Sequence, residues 1–332
     1  MKGEDEMYEP PFILTNEMVF LTASISEKAG KLSALHPFEA RPRLRRDNRI
    51  RSIHSSLAIE ANSLSLSQVR SVIDGHAVMG PAKEIREVQN AYRAYEEIST
   101  LDPYEEKELL RIHGLMTEGL VPEAGRYRSG GEGVFAGSRL IFMAPPPGFV
   151  PELMGNLFAW IREKKNEIHP LILSSVFHYE FVFIHPFSDG NGRMARLWQT
   201  VLLSKWNSLF RYIPLESRIQ DFQEGYYDAI AASNGTGNSD VFILFMLHRI
   251  DEILEEILQT SPGQDRESRI SRLLAVMTRG ETYTALELMG LMGLKTRKTF
   301  RENYLVPALE KGLIMMTQPD KPRSRNQKYR LK

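Results

Sequence analysis

Twelve consecutive residues gather the groups a phosphate chemistry needs: His185-Pro186-Phe187-Ser188-Asp189-Gly190-Asn191-Gly192-Arg193-Met194-Ala195-Arg196. His185 can take a proton near neutral pH. Asp189 is a hard oxygen ligand suited to Mg²⁺ shared with phosphates. Gly190 and Gly192 let backbone amides turn inward to form an anion cradle. Arg193 and Arg196, three apart, share one helix face and can grip phosphate oxygens with planar forks. A base, a metal carboxylate, an anion loop and two guanidinium groups suit phosphoryl or nucleotidyl transfer.

These residues have to be held by the elements around them. The apolar run Phe181-Val182-Phe183-Ile184 precedes the loop and an apolar-periodic helix follows from Met194, so the loop opens at the positive end of a helix. Periodicity and caps predict helices over about 15–35, 45–61, 65–75, 81–99, 102–116, 151–165, 170–183, 191–206, 217–233 and 240–259. Between them, Gly125 to Pro147 has glycines at 130, 131, 133 and 137, an apolar run Leu140-Ile141-Phe142-Met143 and three prolines, which reads as a β-hairpin. His178, seven residues before His185, has no third ligand at suitable spacing and reads as a packed core histidine. His36-Pro37-Phe38 echoes the start of the loop, but no Gly-Asn-Gly-Arg follows it.

The loop resembles the signature of the Fic family, His-x-Phe-x-Asp/Glu-Gly-Asn-Gly-Arg-x-x-Arg, at all eight specified positions. Gly125-Arg126-Tyr127-Arg128 and the hairpin after it look like the family's flap, and Tyr226, Tyr227 and Asn234 sit where the family contacts adenosine. The resemblance covers about residues 50 to 250 and implies an all-α fold, a Fic helical core carrying a β-hairpin flap. It implies transfer of AMP from ATP, with Mg²⁺, to a Ser, Thr or Tyr hydroxyl of a protein. His185 would be the general base and Asp189 the metal ligand. Asn191 and the Gly190 and Gly192 amides would hold the α- and β-phosphates, and Arg193 and Arg196 the outer ones. Met194 and Ala195 belong to the same nucleotide-binding loop. Ala136, Gly137, Ser138 and Arg139 of the flap would align the target chain.

Upstream, Ser56-Leu57-Ala58-Ile59-Glu60 fits the family's inhibitory pattern Ser/Thr-x-x-x-Glu. A spacing of four places Ser56 and Glu60 on one helix face. The resemblance implies that Glu60 pairs with Arg196 and displaces the ATP γ-phosphate. The pattern continues with Gly or Asn, whereas Ala61 stands here. Removal of AMP, with Glu60 positioning a hydrolytic water, and a nucleotide-sensing DNA-binding regulator are the alternative readings.

The composition is that of an ordinary globular protein: 332 residues, 42% hydrophobic and 25% charged. With no cysteine, disulfides, iron–sulfur clusters, thiolate zinc sites and cysteine nucleophiles are excluded. The acidic start Met1-Lys2-Gly3-Glu4-Asp5-Glu6 has no apolar run of a signal peptide, and no stretch reaches the ~20 apolar residues of a membrane span, so a cytoplasmic location is expected. Lys+Arg and Asp+Glu both number 42, but from Arg269 to Lys332 there are 14 basic against 5 acidic residues, a net +9. Helices over about 271–277, 284–292 and 296–311, then apolar strands around 314–316 and 328–331, resemble a winged helix-turn-helix with Lys295, Arg297, Lys298 and Arg301 on its recognition helix. The expected organisation is an N-terminal helical region with the inhibitory helix (1–100), a catalytic domain (101–260) and a winged-helix domain (266–332), the boundary lying at the polar Pro262-Gly263 turn. Expected partners are a protein bearing the target hydroxyl, DNA at residues 266–332 and a second copy of the chain.

Overall fold

The structure is a computed structural model that describes residues 8–35, 42–136, 139–260, 262–294, 296–322, 324 and 326–332. His36-Pro37-Phe38, Gly137, Ser138 and Lys295 lie outside the described residues. The chain divides into two compact units, Met1–Leu254 and Glu255–Lys332.

The first unit is a helical bundle: α1 Asn16–Leu35, α2 Pro42–Ile59, α3 Leu66–Ile73, α4 Ala82–Glu96, α5 Glu106–Met116, α6 Val150–Lys164, α7 Pro170–Ile184, α8 Asn191–Trp206, α9 Leu215–Asp221, α10 Gln223–Thr236 and α11 Asp240–Thr260, the last running across the division. Caps written in the sequence set several starts. Thr15 Oγ1 accepts the Met18 N–H, and Ser65 forms a reciprocal capping box with Gln68 at the head of α3. α7 is apolar on nearly every side, with Leu171, Val176, Phe177 and Phe181 fully buried, so it lies at the centre, packed on α8, in which Leu197, Trp198 and Val201 are also fully buried. Its central position makes the α7–α8 loop a rigid mount.

Between α5 and α6 the chain leaves the bundle as the expected hairpin. β1 Gly133–Ala136 pairs antiparallel with β2 Arg139–Met143, Gly133 opposite Met143 and Ala136 opposite Arg139, with a shift in register after Val134. The single helix expected over 217–233 is two helices. It breaks at Phe222, whose ring lies under the Arg249 guanidinium, 3.9 Å away, a contact across sequence that no local pattern contains.

The second unit has α12 Pro262–Ala275, α13 Ala285–Leu291, α14 Arg297–Phe300, α15 Val306–Glu310 and an antiparallel pair, β3 Ile314–Met316 with β4 Tyr329–Leu331. Pro262 and Gly263 begin a helix instead of a free turn, Pro262 fitting a first turn whose N–H would be unsatisfied in any case. Thr284 and Glu287 form a capping box, and Gly293 makes the turn at φ +68°. α14 and α15 are joined by a π-turn over Arg301–Leu305. Pro307 cannot donate to the carbonyl four residues back, which accounts for the wider register. Ile270, Leu273, Leu288, Phe300, Ala308 and Ile314 close a core of its own. No helix among the described residues is long and apolar enough to cross a membrane.

Candidate active site

The loop from His185 to Gly190 is shaped by its own backbone and by three side chains from outside it. His185 ends α7 in the left-handed conformation, φ +51°, its N–H donating to Phe181 O at 3.0 Å. Phe187 is fully buried and stacks on His113 of α5, centroids 3.6 Å apart and planes 4° apart. The Gly125 N–H donates to His113 Nδ1 at 3.0 Å, so the proton sits on Nε2, which donates to Asp189 O at 3.0 Å. Burial pushes His113 down to about 4, so the ring stays neutral and holds this tautomer. Nothing in the sequence pattern singled out His113 for this.

The Asn191 side chain bonds to the backbone of the loop itself. Its Oδ1 accepts the Phe187 N–H at 2.9 Å and its Nδ2 donates to Phe187 O at 2.7 Å, so the amide is spent on tying the loop closed. Met194 and Ala195 are fully buried, and the Met194 N–H donates to Gly190 O at 2.9 Å. The helical period turns both side chains into the core.

Part of the expected set of site residues faces one cavity of about 480 Å³ between α2, α7, α8 and α10, whose lining does not include Asp189 or Arg193. Glu60, His185, Gly192, Arg196, Tyr226 and Tyr227 all line it, as does Asn234. His185 Nδ1 faces Val182 O at 3.3 Å; a carbonyl only accepts, so Nδ1 carries the proton and Nε2 keeps its lone pair. Burial, above all, holds the imidazole below its ordinary value, with Arg128 acting in the same direction, so it is neutral at pH 7 and able to accept a proton.

Arg196 is buried. Its Nη2 donates to Glu60 Oε1 at 2.8 Å and Ser56 O at 2.9 Å, and its Nε donates to Ser56 Oγ at 3.1 Å. The Glu60 carboxylate lies directly on Gly192, where any Cβ would collide with Oε1. A carboxylate therefore lies against the first turn of α8, at Gly192. Ala61, next in the chain, is left-handed at φ +65°. Tyr226 Oη donates to His178 Nε2 at 2.9 Å while His178 Nδ1 donates to Gln199 Oε1 at 2.6 Å, which makes His178 a structural relay and not a metal ligand. Tyr179 Oη donates to Asn234 Oδ1 at 2.9 Å.

Arg193 is equally buried and pairs with Asp189 Oδ1 at 2.7 Å, with Glu87 of α4 3.9 Å away. Arg193 Nε and Nη1 and Arg196 Nη1 are buried donors without a hydrogen-bond partner. Buried orphan donors are costly, and an anion with several oxygens relieves them. Asp189 stays ionised, its carboxyl held below the usual range by Arg193 against the effect of burial. The described residues contain no cluster of three or more His, Cys, Asp or Glu that could hold a metal. A hard cation here would thus have the one carboxylate as protein ligand and take its remaining oxygens from phosphate and water, as Mg²⁺ does. Ala136 and Arg139 lie at the turn end of the hairpin, paired with each other across the strands.

Comparison with known proteins agrees with this geometry. Residues 101–203 match the family model "Fic/DOC family", and residues 268–332 match "Filamentation induced by cAMP protein Fic-like, C-terminal domain". A Fic family protein from Desulfovibrio desulfuricans G20, solved by crystallography, is 46% identical, with a TM-score of 0.74 over 98% of both chains. Protein adenylyltransferase Fic of Drosophila grimshawi is 30% identical over 276 residues, which is 80% of this chain and 54% of the relative. Protein adenylyltransferase fic-1 of Caenorhabditis elegans is 27% identical over 228 residues, 64% of this chain and 42% of the relative. The chain spans about half the length of these curated relatives.

Proposed function

The chain belongs to the Fic family, and we propose that its pocket transfers AMP from ATP to a Ser, Thr or Tyr hydroxyl of a protein, held in check by Glu60. The observation that carries this reading is the neutral His185, with Nε2 free, lining the same cavity as a buried guanidinium with an unused donor. His185 Nε2 takes the hydroxyl proton as the oxygen bonds to the α-phosphorus. The bond from that phosphorus to the bridging oxygen breaks, pyrophosphate leaves, and AMP remains as a phosphodiester on the target. Arg193 and Arg196 would hold the departing phosphates through their orphan donors. Asp189 would hold Mg²⁺, which when bound offsets the charge growing on the phosphate oxygens. Tyr227 and Asn234 would border the adenosine, and the hairpin around Ala136 and Arg139 would carry the target segment.

Glu60 competes for the same ground. Its carboxylate sits on Gly192 and on Arg196, where an outer phosphate would need to lie. Its side chain is 37% exposed, so the pair is weaker than a fully buried one, about 1–2 kcal/mol, or roughly 5–30-fold in rate. The experiment is to supply ATP labelled on the α- or the γ-phosphate and follow label on the protein itself. Wild type, Glu60→Gly, and Glu60→Gly carrying His185→Ala, Asp189→Ala or Arg196→Ala are compared. We expect α-label only, a gain for Glu60→Gly, and loss of that gain in each double variant. γ-Label on the protein would refute AMP transfer, and an unchanged rate in Glu60→Gly would refute the brake.

For residues 266–332 the reading is a winged helix-turn-helix that touches duplex DNA. Its support is the order of three helices and a hairpin, the net +9, and the exposed Arg297, Lys298 and Arg301.

A further inference from the structure

Arg128 carries a role that the motif does not assign. It lies between α5 and β1, is 3% exposed, and spends its guanidinium on carbonyl oxygens. Nε donates to His185 O at 2.7 Å, Nη1 to Gly130 O at 2.8 Å, and Nη2 to Pro145 O at 2.6 Å and Ile184 O at 3.4 Å. Its own backbone N–H donates to Pro186 O at 2.9 Å.

The positions of these carbonyls give the contact its meaning. Gly130 and Pro145 are the two roots of the hairpin, just before β1 and just after β2, and the Ala144 N–H closes them on Glu132 O at 3.0 Å. Ile184, His185 and Pro186 are the turn that leaves α7. His185 holds a left-handed backbone, which side chains with a Cβ avoid and which persists only where the surroundings over-determine it. One planar fork therefore ties the hairpin roots to His185, the strained residue that carries the imidazole. Its rigid geometry fixes direction as well as distance, which a lysine ammonium cannot do.

We propose that Arg128 is a positioning residue for AMP transfer: it holds the backbone of His185 in a fixed relation to the hairpin roots, so that base and target segment reach the α-phosphorus together. The inference rests on the reading of His185 as the base. It separates Arg128 from the phosphate-holding arginines, because none of its hydrogen bonds among the described residues reaches Gly190 to Arg196, so the nucleotide should bind without it.

The test uses the full chain in the Glu60→Gly background, with self-labelling from α-labelled ATP as the rate and binding of a non-transferable ATP analogue as the affinity. Arg128→Ala should lower the maximal labelling rate about 10–100-fold, since small displacements of a positioned group cost on that order. The analogue's affinity should stay within about 3-fold of the background. Methylguanidinium in the medium should restore part of the rate. Arg128→Lys, which keeps stem and charge but not the fork, should fall with Arg128→Ala, and it decides the matter if the alanine variant does not fold. A rate within about 3-fold of the background would overturn the proposal. So would a parallel loss of analogue affinity and thermal midpoint, or a failure of both variants to fold, either of which makes Arg128 a folding residue only. If instead the Glu60→Gly protein makes no α-label, or His185→Ala leaves labelling intact, the underlying reading of the site fails.

Discussion

Ala61→Gly tests how the proposed brake is held. The end of α2 is a Schellman-type cap: the Asn62 N–H donates to Leu57 O at 3.1 Å and the Ala61 N–H to Ala58 O at 3.0 Å, which forces residue 61 to φ +65°. The position suits glycine, and alanine there costs roughly 1–2 kcal/mol. Glycine gives back roughly 0.5–1 kcal/mol through the greater freedom of its unfolded chain. The balance favours Ala61→Gly by about 0.5–1 kcal/mol. Asn62 Nδ2 on Glu87 Oε2 at 2.8 Å and Ser63 Oγ on Glu84 Oε2 at 2.8 Å keep the turn in place while the strain is carried. If withdrawal of Glu60 from Arg196 opens this turn, it relieves Ala61, and the strain then favours release. Removing it should lower basal AMP transfer about 2–5-fold and leave the Glu60→Gly rate as it is. The thermal midpoint should rise by about 1–3 °C. The assay is self-labelling with α-labelled ATP in the four combinations of the two substitutions, beside thermal melts. A basal rate that rises, or a midpoint that falls, would refute the strained-cap reasoning.

Two further outcomes follow from groups away from that turn. Burial pushes Glu180 of α7 up to about 7, although the Tyr8 hydroxyl donates to it at 2.8 Å. The folded chain therefore binds this proton more tightly than the unfolded one, and its stability is full below about pH 4.3 and falls by roughly 3 kcal/mol as pH rises through 7. Glu180→Gln should flatten the difference in melting midpoint between pH 5 and pH 8, and an unchanged difference would show that another group sets it. The basic tail should bind duplex DNA with an affinity that drops at least about tenfold between about 50 and 200 mM salt, weakened by Arg297→Ala with Arg301→Ala; absence of binding at the lower salt would exclude the DNA reading.

The parts of the site that could be read from the sequence are those in which residue types declare a local geometry. Gly190 and Gly192 ahead of an apolar period announce a helix N-terminus, and Ser65 with Gln68 or Thr284 with Glu287 announce a cap. The hairpin followed from glycines bracketing an apolar run. The break at Phe222 did not, because Arg249 supplies it from 27 positions away. Nor did the left-handed turn at Ala61, where the residue type argues for the opposite backbone.

A second limit lies in the kind of partner. The pairing of Glu60 with Arg196 across 136 positions comes from the resemblance, which specifies both partners by side-chain type. His113, Asn191 and Arg128 bond instead to backbone N–H and carbonyl groups, at Gly125 and Asp189, at Phe187, and at His185, Gly130 and Pro145. Every residue offers the same carbonyl, so the partner leaves no mark in the sequence, and only the fold shows which one is reached. Residues that do chemistry on a ligand are thus the legible ones, while those that aim them are hidden. The scaffold of this loop, three side chains closing on its own backbone, is where sequence reasoning had least to work with.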